Sequence, residues 1–65
     1  MFRYLGMAKK CVTIVNKEVE NLLTGERFVW LRVETEFERI AVLSSEGQLS
    51  RVELSEFLEV FKEVR

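Results

Sequence analysis

The amino-acid sequence predicts a mainly β fold, in which four to five short antiparallel strands are followed by one amphipathic helix at the C-terminus. Three observations predict it. Residues 27–37 alternate in polarity at nearly every position, as a strand with two different faces does. Gly25 and Gly47 stand between apolar stretches, where a chain can reverse into a hairpin. Apolar residues near the C-terminus recur at spacings of three and four, the period of a helix.

The composition predicts a single small domain spanning 1–65, near the lower size limit for a chain that holds its own core. Hydrophobic residues make up 48%, far above the content of a disordered chain. Lys and Arg number 10 against 11 acidic residues, and this balance argues against a general polyanion binder. A single cysteine allows no internal disulfide, and no apolar stretch reaches a membrane span. We therefore expect a cytoplasmic protein without membrane contact.

The first predicted strand covers residues 10–20. Its start is a run of four β-favouring residues, Val12 to Val15. Such a run indicates either a strand buried on both faces or one that bends across a core. Thr24 and Gly25 then fit the reversal into the second strand.

The second predicted strand covers residues 27–37, and its alternation predicts which side chains share a face. The set expected to face the core is Val29, Leu31, Val33, Thr35 and Phe37. The set expected to face outward is Phe28, Trp30, Arg32, Glu34 and Glu36. Outward aromatic residues have two interpretations. They either form a binding patch or lie beneath the C-terminal helix or the N-terminal segment that contains Phe2 and Tyr4.

Two more strands are predicted over residues 39–44 and 48–54. Without an interruption, residues 27–43 would be one strand far longer than the usual length of about 5–6 residues. The chain must therefore bend or reverse between Glu36 and Arg39, although no Gly or Pro marks the place. A short helical turn there is the alternative. Residues 44–47, which end in Gly47, predict the next reversal.

The C-terminal helix is predicted over residues 55–64. Its apolar stripe contains Leu54, Phe57, Leu58, Phe61 and either Val64 or Arg65. Ser55 has the residue type of an N-cap. A helix of about three turns does not persist alone in water, so it must dock on the strands, with Phe57 and Phe61 as its anchors.

Short strands followed by one amphipathic helix resemble the SH3-like small β-barrels, over the whole chain and at the level of architecture. The resemblance implies a small barrel capped by the helix. Barrels of this kind bind proteins, peptides, RNA or DNA, so the resemblance does not select one function.

The residue types argue against catalysis. The chain contains no His and no Asp, which removes the usual proton-transfer residue, the Asp triads and the metal sites built on His. Cys11 is either a thiol activated by Lys9 and Lys10 or a small buried hydrophobic residue, and the lack of a His favours the second. We predict no enzyme activity, no metal and no cofactor.

The sequence predicts a protein-interaction module or adaptor that binds through Phe28, Trp30 and Arg32. An exposed aromatic pair beside Arg is typical of the centre of a protein interface. The expected partner is another protein or a second copy of the chain. The alternative is a small barrel that binds nucleic acid, with bases stacking on Trp30 beside Arg32. The other candidate residues of that site are Lys9, Lys10 and Arg51.

Overall fold

The computed structural model describes residues 10–64 of the chain. Its elements in chain order are β1 (Cys11–Asn21), β2 (Arg27–Thr35), β3 (Arg39–Ser45), β4 (Gln48–Glu53), α1 (Leu54–Val60) and β5 (Phe61–Glu63). The predicted mainly β fold with one C-terminal helix is confirmed. The features predicted at Lys9 and in the segment with Phe2 and Tyr4 lie outside the described residues.

The five strands form one antiparallel sheet in the order β4-β3-β2-β1-β5. Strands β1 to β4 follow one another as hairpins, and β5 returns to pair with the end of β1, where Asn21 lies opposite Phe61. The sheet curls into a half-barrel. Helix α1 joins the two edge strands, β4 and β5. The curl gives the sheet an inner face, which holds the core, and an outer face.

The turn between β1 and β2 is fixed by Asn21 and Gly25. The side-chain Oδ1 of Asn21 accepts hydrogen bonds from the backbone N–H groups of Leu23 (2.8 Å) and Thr24 (3.2 Å), which stabilises the start of the turn. Gly25 then takes a φ of 78°, in the left-handed region that glycine adopts without steric cost. The predicted reversal at Thr24 and Gly25 is confirmed.

The other two reversals also lie where the sequence predicts them. Between β2 and β3 the chain turns through residues 36–38, and Thr35 pairs directly with Arg39. This is a tight bend rather than the alternative helical turn. Between β3 and β4, Glu46 and Gly47 form a two-residue hairpin turn, both with positive φ. That backbone is the type I′ turn, whose twist matches the twist of the flanking strands.

A bulge in β2 changes which side chains face the core. Trp30 pairs with Leu43 of β3, but the next pair joins Arg32 to Val42, so Leu31 is an extra residue on β2. Leu43 and Val42 are neighbours on a regular strand and face opposite sides. Trp30 and Arg32 therefore also face opposite sides.

A second irregularity bends β1. The pairs with β2 pass from Ile14 to Lys17, and Asn16 between them has a φ of 54°. At these irregularities β2 has one residue more than β3, and β1 has one residue more than β2. Bulges of this kind increase the local bend of a sheet. Of the two interpretations of residues 10–20, the bent strand is the observed one. Val12 and Ile14 are exposed rather than buried.

The predicted inner face of β2 is correct after the bulge and wrong before it. Val33, beyond Leu31, pairs with the buried Ala41 of the inner face. Val29, before Leu31, lies on the outer face and is 42% exposed, while Phe37 lies in the following bend and is 85% exposed. A single extra residue inverts the alternation of a strand, and the period of two carries no trace of it.

The C-terminal helix is shorter than predicted. It begins at Leu54 after an N-cap at Glu53 that makes no side-chain capping bond, so Ser55 is a helix residue rather than the predicted cap. It ends at Val60, whose carbonyl accepts a hydrogen bond from the Leu22 N–H at 2.7 Å. Residues 61–63 form β5 instead of another helical turn, because they pair with a stretch of β1 that is otherwise unpaired on that side.

The core lies between the inner face of the sheet and α1. Its buried members are Val19, Ala41, Leu43 and Phe57, and the half-buried side chains packed against them are Phe28, Trp30, Val52, Leu54 and Phe61. Phe57 is 2% exposed, which confirms its predicted role as the helix anchor. Leu58 of the predicted apolar stripe is exposed at 62% and faces away from this core.

Candidate functional site

Phe28 and Trp30, two of the predicted binding residues, lie on the inner face beneath the C-terminal segment. The ring centroid of Trp30 is 4.6 Å from that of Phe57. Phe28 meets Phe61 edge to face at 5.6 Å, and Phe61 stacks on Phe57 at 5.0 Å. Of the two interpretations of these aromatic residues, the structure has the one in which they pack beneath the helix. They complete the core from the side of β2.

Arg32, the third predicted binding residue, lies on the opposite side of the sheet. The bulge at Leu31 separates it from Trp30, so the prediction that these two share a face is wrong. Phe28, Trp30 and Arg32 therefore do not form one surface. Only Arg32 belongs to the outer face.

Arg32 belongs to a cluster of charges on the outer face, centred on Glu34. The Nε of Arg32 donates a hydrogen bond of 2.8 Å to an Oε of Glu34. The other Oε of Glu34 lies 3.5 Å from Lys10 Nζ and 3.7 Å from Arg51 Nε. The side chain of Glu34 is only 12% exposed. Three cationic side chains from three different segments thus converge on one carboxylate.

This arrangement changes the acidity of Glu34. The hydrogen bond from Arg32 lowers the pKa of the carboxyl group below its ordinary value of 4.5, and the positive charges of Lys10 and Arg51 lower it further. Partial burial opposes them by disfavouring the charged form. Glu34 is therefore ionised at neutral pH and holds the cluster together.

The outer face also exposes apolar side chains. The described residues contain eight exposed large hydrophobic side chains, and four of them lie on this face: Val12, Ile14, Val29 and Leu49. Ile14 is the most exposed of the four, at 65%, and it lies opposite Arg32 in the strand ladder. Val42, in the middle of the face, is fully buried between its cross-strand neighbours Arg32 and Arg51. We call these apolar residues and the Glu34 cluster the outer patch.

A groove of about 430 Å³ extends the outer patch toward the β2–β3 bend. Its lining residues are Lys10, Glu34, Glu36, Phe37, Glu38, Ile40 and Arg51. Its volume is in the range of sites that hold a small ligand or a side chain of a partner. Phe37, at 85% exposure, is an aromatic side chain available at one end.

The residues of the alternative nucleic-acid site are only partly brought together. Lys10, Arg32 and Arg51 meet around Glu34. Trp30, on which bases would stack, lies in the core on the other face of the sheet. Lys9 lies outside the described residues.

Cys11 is an exposed free thiol at the start of β1, so the preferred prediction of a buried cysteine is wrong. Within residues 10–64, no group of three or more Cys or acidic side chains is arranged to hold a metal ion. The same part of the chain contains no helix that is long and apolar enough to cross a membrane.

The comparisons with known proteins leave the family open. No protein-family model matches the chain, and no curated protein or solved structure is significantly similar to it.

Sequence reasoning missed the outer patch although one signal for it was present. The bulge at Leu31 cannot be seen in the alternation of residues 27–37, so Arg32 was joined with the wrong neighbours. The β-branched run from Val12 to Val15 was nevertheless a usable signal. It places apolar side chains on both sides of β1, and a domain with one sheet and one seven-residue helix covers only one side.

Proposed function

We propose that this chain is a small, non-enzymatic protein-interaction module that binds its partner through the outer patch. The single observation that carries the proposal is the composition of this surface. Exposed Val12 and Ile14 lie beside Arg32, and Arg32 is held in place by Glu34. Apolar side chains around an ordered Arg, with other charges at the margin, are typical of the energetic centre of a protein interface.

The burial of Glu34 supports a binding role for its neighbours. A guanidinium already fixed by a 2.8 Å hydrogen bond loses little side-chain freedom when a partner contacts it. Arg32 and Arg51 are also the cross-strand neighbours of the buried Val42, so their aliphatic stems add apolar surface to the charge. The outer patch is thus pre-organised.

We propose further that the half-barrel is SH3-like. Its support is the strand order β4-β3-β2-β1-β5 and the position of a short helix between the last two strands. This is an analogy of fold, and it leaves the choice of partner to the surface. A cytoplasmic location, where the exposed thiol of Cys11 stays reduced, is part of the same proposal.

The test uses random peptides as probes of the surface. Peptides are selected from a display library on the immobilised chain, and their affinities are measured for the V12E/I14E variant. The matched control is L22E/L23E, which changes two apolar residues of similar exposure in the β1–β2 turn. We expect the affinity of the selected peptides to fall at least tenfold for V12E/I14E and to stay unchanged for the control, because buried charge at an interface centre costs about 1.4 kcal/mol or more.

Two results would contradict this proposal. One is the selection of peptides that bind both variants as well as they bind the wild type. The other is a selection whose peptides lose affinity only for L22E/L23E, which would move the binding surface to the β1–β2 turn.

Nucleic-acid binding is the second candidate, favoured by the convergence of Lys10, Arg32 and Arg51. Glu36 and Glu38, which line the same groove, work against it by repelling phosphates. Fluorescence anisotropy of a labelled single-stranded DNA distinguishes the two functions. Binding that weakens steeply with added salt, and further in K10A/R51A, would favour nucleic acid.

A further inference from the structure

The outer edge of β4 is an open strand edge. Among the strands of residues 10–64, β4 lies at one end of the sheet and pairs with β3 alone, from Gln48 to Glu53. Within residues 10–64, no backbone group of residues 48–52 hydrogen-bonds to a turn or loop, and Glu53, which ends the strand, is the N-cap of α1. Five of its six residues are exposed. The edge therefore presents extended backbone that has no described partner.

The two-residue turn determines which backbone groups point outward. In a type I′ hairpin the residues that flank the turn, here Ser45 and Gln48, form a hydrogen-bonded pair. Pairs along an antiparallel ladder then alternate between hydrogen-bonded and non-hydrogen-bonded. Leu49 and Arg51 consequently direct their N–H and C=O groups away from β3, toward the open edge, whereas Glu53, the next residue in this series, is the N-cap of α1.

In the part of the chain that the structure describes, this edge lacks most of the features that prevent strand addition. Natural edges are protected by bulges, by Pro, by Lys, by an inward-pointing charge or by short length. The register of β4 on β3 runs without a shift over all six residues, and the chain contains no Pro. Both charged residues of β4, Arg51 and Glu53, lie on the outer face. The opposite edge strand, β5, is only three residues long.

We propose that β4 pairs antiparallel with β4 of a second copy of the chain, about a two-fold axis at Ser50. A two-fold axis perpendicular to the sheet keeps each face on its own side, so outer-face residues pair with outer-face residues. With Ser50 on the axis, Leu49 exchanges its outward backbone hydrogen bonds with Arg51 of the partner subunit. Leu49, which is 53% exposed in the single chain, then has a cross-strand neighbour on its open side.

Charge and length exclude the neighbouring registers. An axis at Arg51 would place two guanidinium groups directly opposite each other, and like charges in that position are destabilising. An axis at Leu49 would leave only residues 48–50 to pair, because the Glu46 and Gly47 turn ends the strand. The register at Ser50 uses most of β4 and places no like charges opposite each other. The small contact area makes the dimer weak, at the low end of protein–protein affinities.

The proposal can be tested apart from the outer patch: it uses the backbone of Leu49 and Arg51, which belong to that patch, but its test uses Ser50, which pairs with Leu43 of the inner face. Ser50 is exposed, so charged substitutions there leave the fold intact. We expect wild-type chain to dimerise with rising concentration in analytical ultracentrifugation. The Cα atoms of the two Ser50 residues would lie about 4.5 Å apart across the axis. Either S50E or S50K therefore places two like charges directly opposite each other and should raise the dissociation constant of the dimer at least tenfold. An equimolar mixture of S50E and S50K should recover the dimer.

A cross-linking measurement tests the register. In a C11S background, S50C places two cysteines at a Cα separation of about 4.5 Å, within the range of about 4.4–6.8 Å that a disulfide spans. We expect rapid oxidation to a dimer, whereas C11S/L23C, with its cysteine in the exposed β1–β2 turn, should stay monomeric under the same conditions. A wild-type chain that is monomeric at every concentration would overturn the proposal. So would a dimer unaffected by S50E and S50K but abolished by V12E/I14E, a result that would assign self-association to the outer patch.

Discussion

At the scale of single residues, Glu34 has the most consequential environment. It receives cations from β2, from β4 and from the residue before β1, and thus ties three segments together on the outer face. The surface pairs elsewhere differ from it. Lys17 with Glu63 and Arg27 with Glu18 join side chains that are all more than half exposed, and pairs of that kind contribute little. Among residues 10–64, only the Glu34 cluster combines close contact with partial burial.

The lowered pKa of Glu34 predicts a specific acid sensitivity. A carboxyl group whose pKa is lower in the folded state stabilises the fold above its ordinary value of 4.5, and this contribution is lost as the pH falls through the lowered pKa. We therefore expect the free energy of unfolding of the wild type to fall more steeply between about pH 5 and about pH 3 than that of E34Q. Urea titrations monitored by far-UV circular dichroism at each pH measure both slopes.

The control for this prediction is E36Q. Glu36 is exposed in the β2–β3 bend and has no ion-pair partner within residues 10–64. Its variant should follow the wild-type slope. If the free energy of unfolding of wild type and E34Q falls equally steeply with pH, the Glu34 cluster contributes nothing to the loss of stability in acid.

At the scale of elements, the sequence was informative wherever local chemistry decides the structure. Gly25 and Gly47 take positive φ angles, so both hairpins they mark were predictable. The bulge at Leu31 and the end of the helix at Val60 were not. Both depend on pairing with distant strands, β3 in the first case and β1 in the second. The period of the C-terminal stripe fits a helix of residues 55–64 equally well, and only the edge of β1 selects a strand there.

The β3–β4 turn contains one strained residue, and this predicts a stabilising substitution. Glu46 has a φ of 52°, which is unfavourable for a residue with a Cβ, and Asn is the preferred residue at this position of a type I′ turn. We expect E46N to raise the free energy of unfolding by about 0.5–1 kcal/mol, as measured by urea denaturation. E46Q, which removes the charge but keeps the strain, should have the wild-type stability.

Gly47→Ala tests the same turn in the opposite direction. Within the described part of the chain, a Cβ at Gly47 meets no atom within 4 Å, so a loss of stability would come from the backbone strain at a φ of 81°. We expect a loss of at least about 1 kcal/mol. Unchanged stability in both E46N and G47A would mean that the turn does not hold the left-handed conformation in solution.

At the scale of the whole molecule, one aromatic layer connects the sheet to α1 and β5. Trp30 comes from β2, Phe57 from α1 and Phe61 from β5. The ring centroid of Phe57 is 4.6 Å from that of Trp30 and 5.0 Å from that of Phe61. The sequence predicted that Phe57 and Phe61 dock the C-terminal segment. It left open whether Trp30 was their partner or a separate binding residue, since both roles require an aromatic side chain. The distinction depends on which side of the bulge Trp30 lies, and the bulge exists only in the pairing of β2 with its neighbouring strands.

This layer predicts that Trp30 is required for folding rather than for binding. Trp30 is half-buried but packs directly on the buried Phe57. Truncating a large aromatic side chain of a core costs about 3–5 kcal/mol, as much as the total stability of a core of this size, so W30A should be largely unfolded without denaturant by far-UV circular dichroism. W30F keeps the contact with Phe57 and removes the indole Nε1–H, which is buried and has no acceptor within residues 10–64. Its cost should therefore be less than half that of W30A.

A control accompanies W30A, and one further measurement determines whether this layer belongs to one chain. L23A, which truncates a side chain that is 82% exposed, should change the stability by less than about 0.5 kcal/mol. The emission of Trp30 in the wild type should stay blue-shifted at every dilution, because Phe57 and Phe61 of the same chain exclude water from it. An emission that reddens on dilution would mean that a second copy completes the layer. The half-barrel would then owe its core to association, and the weak β4 contact could not be its only interface.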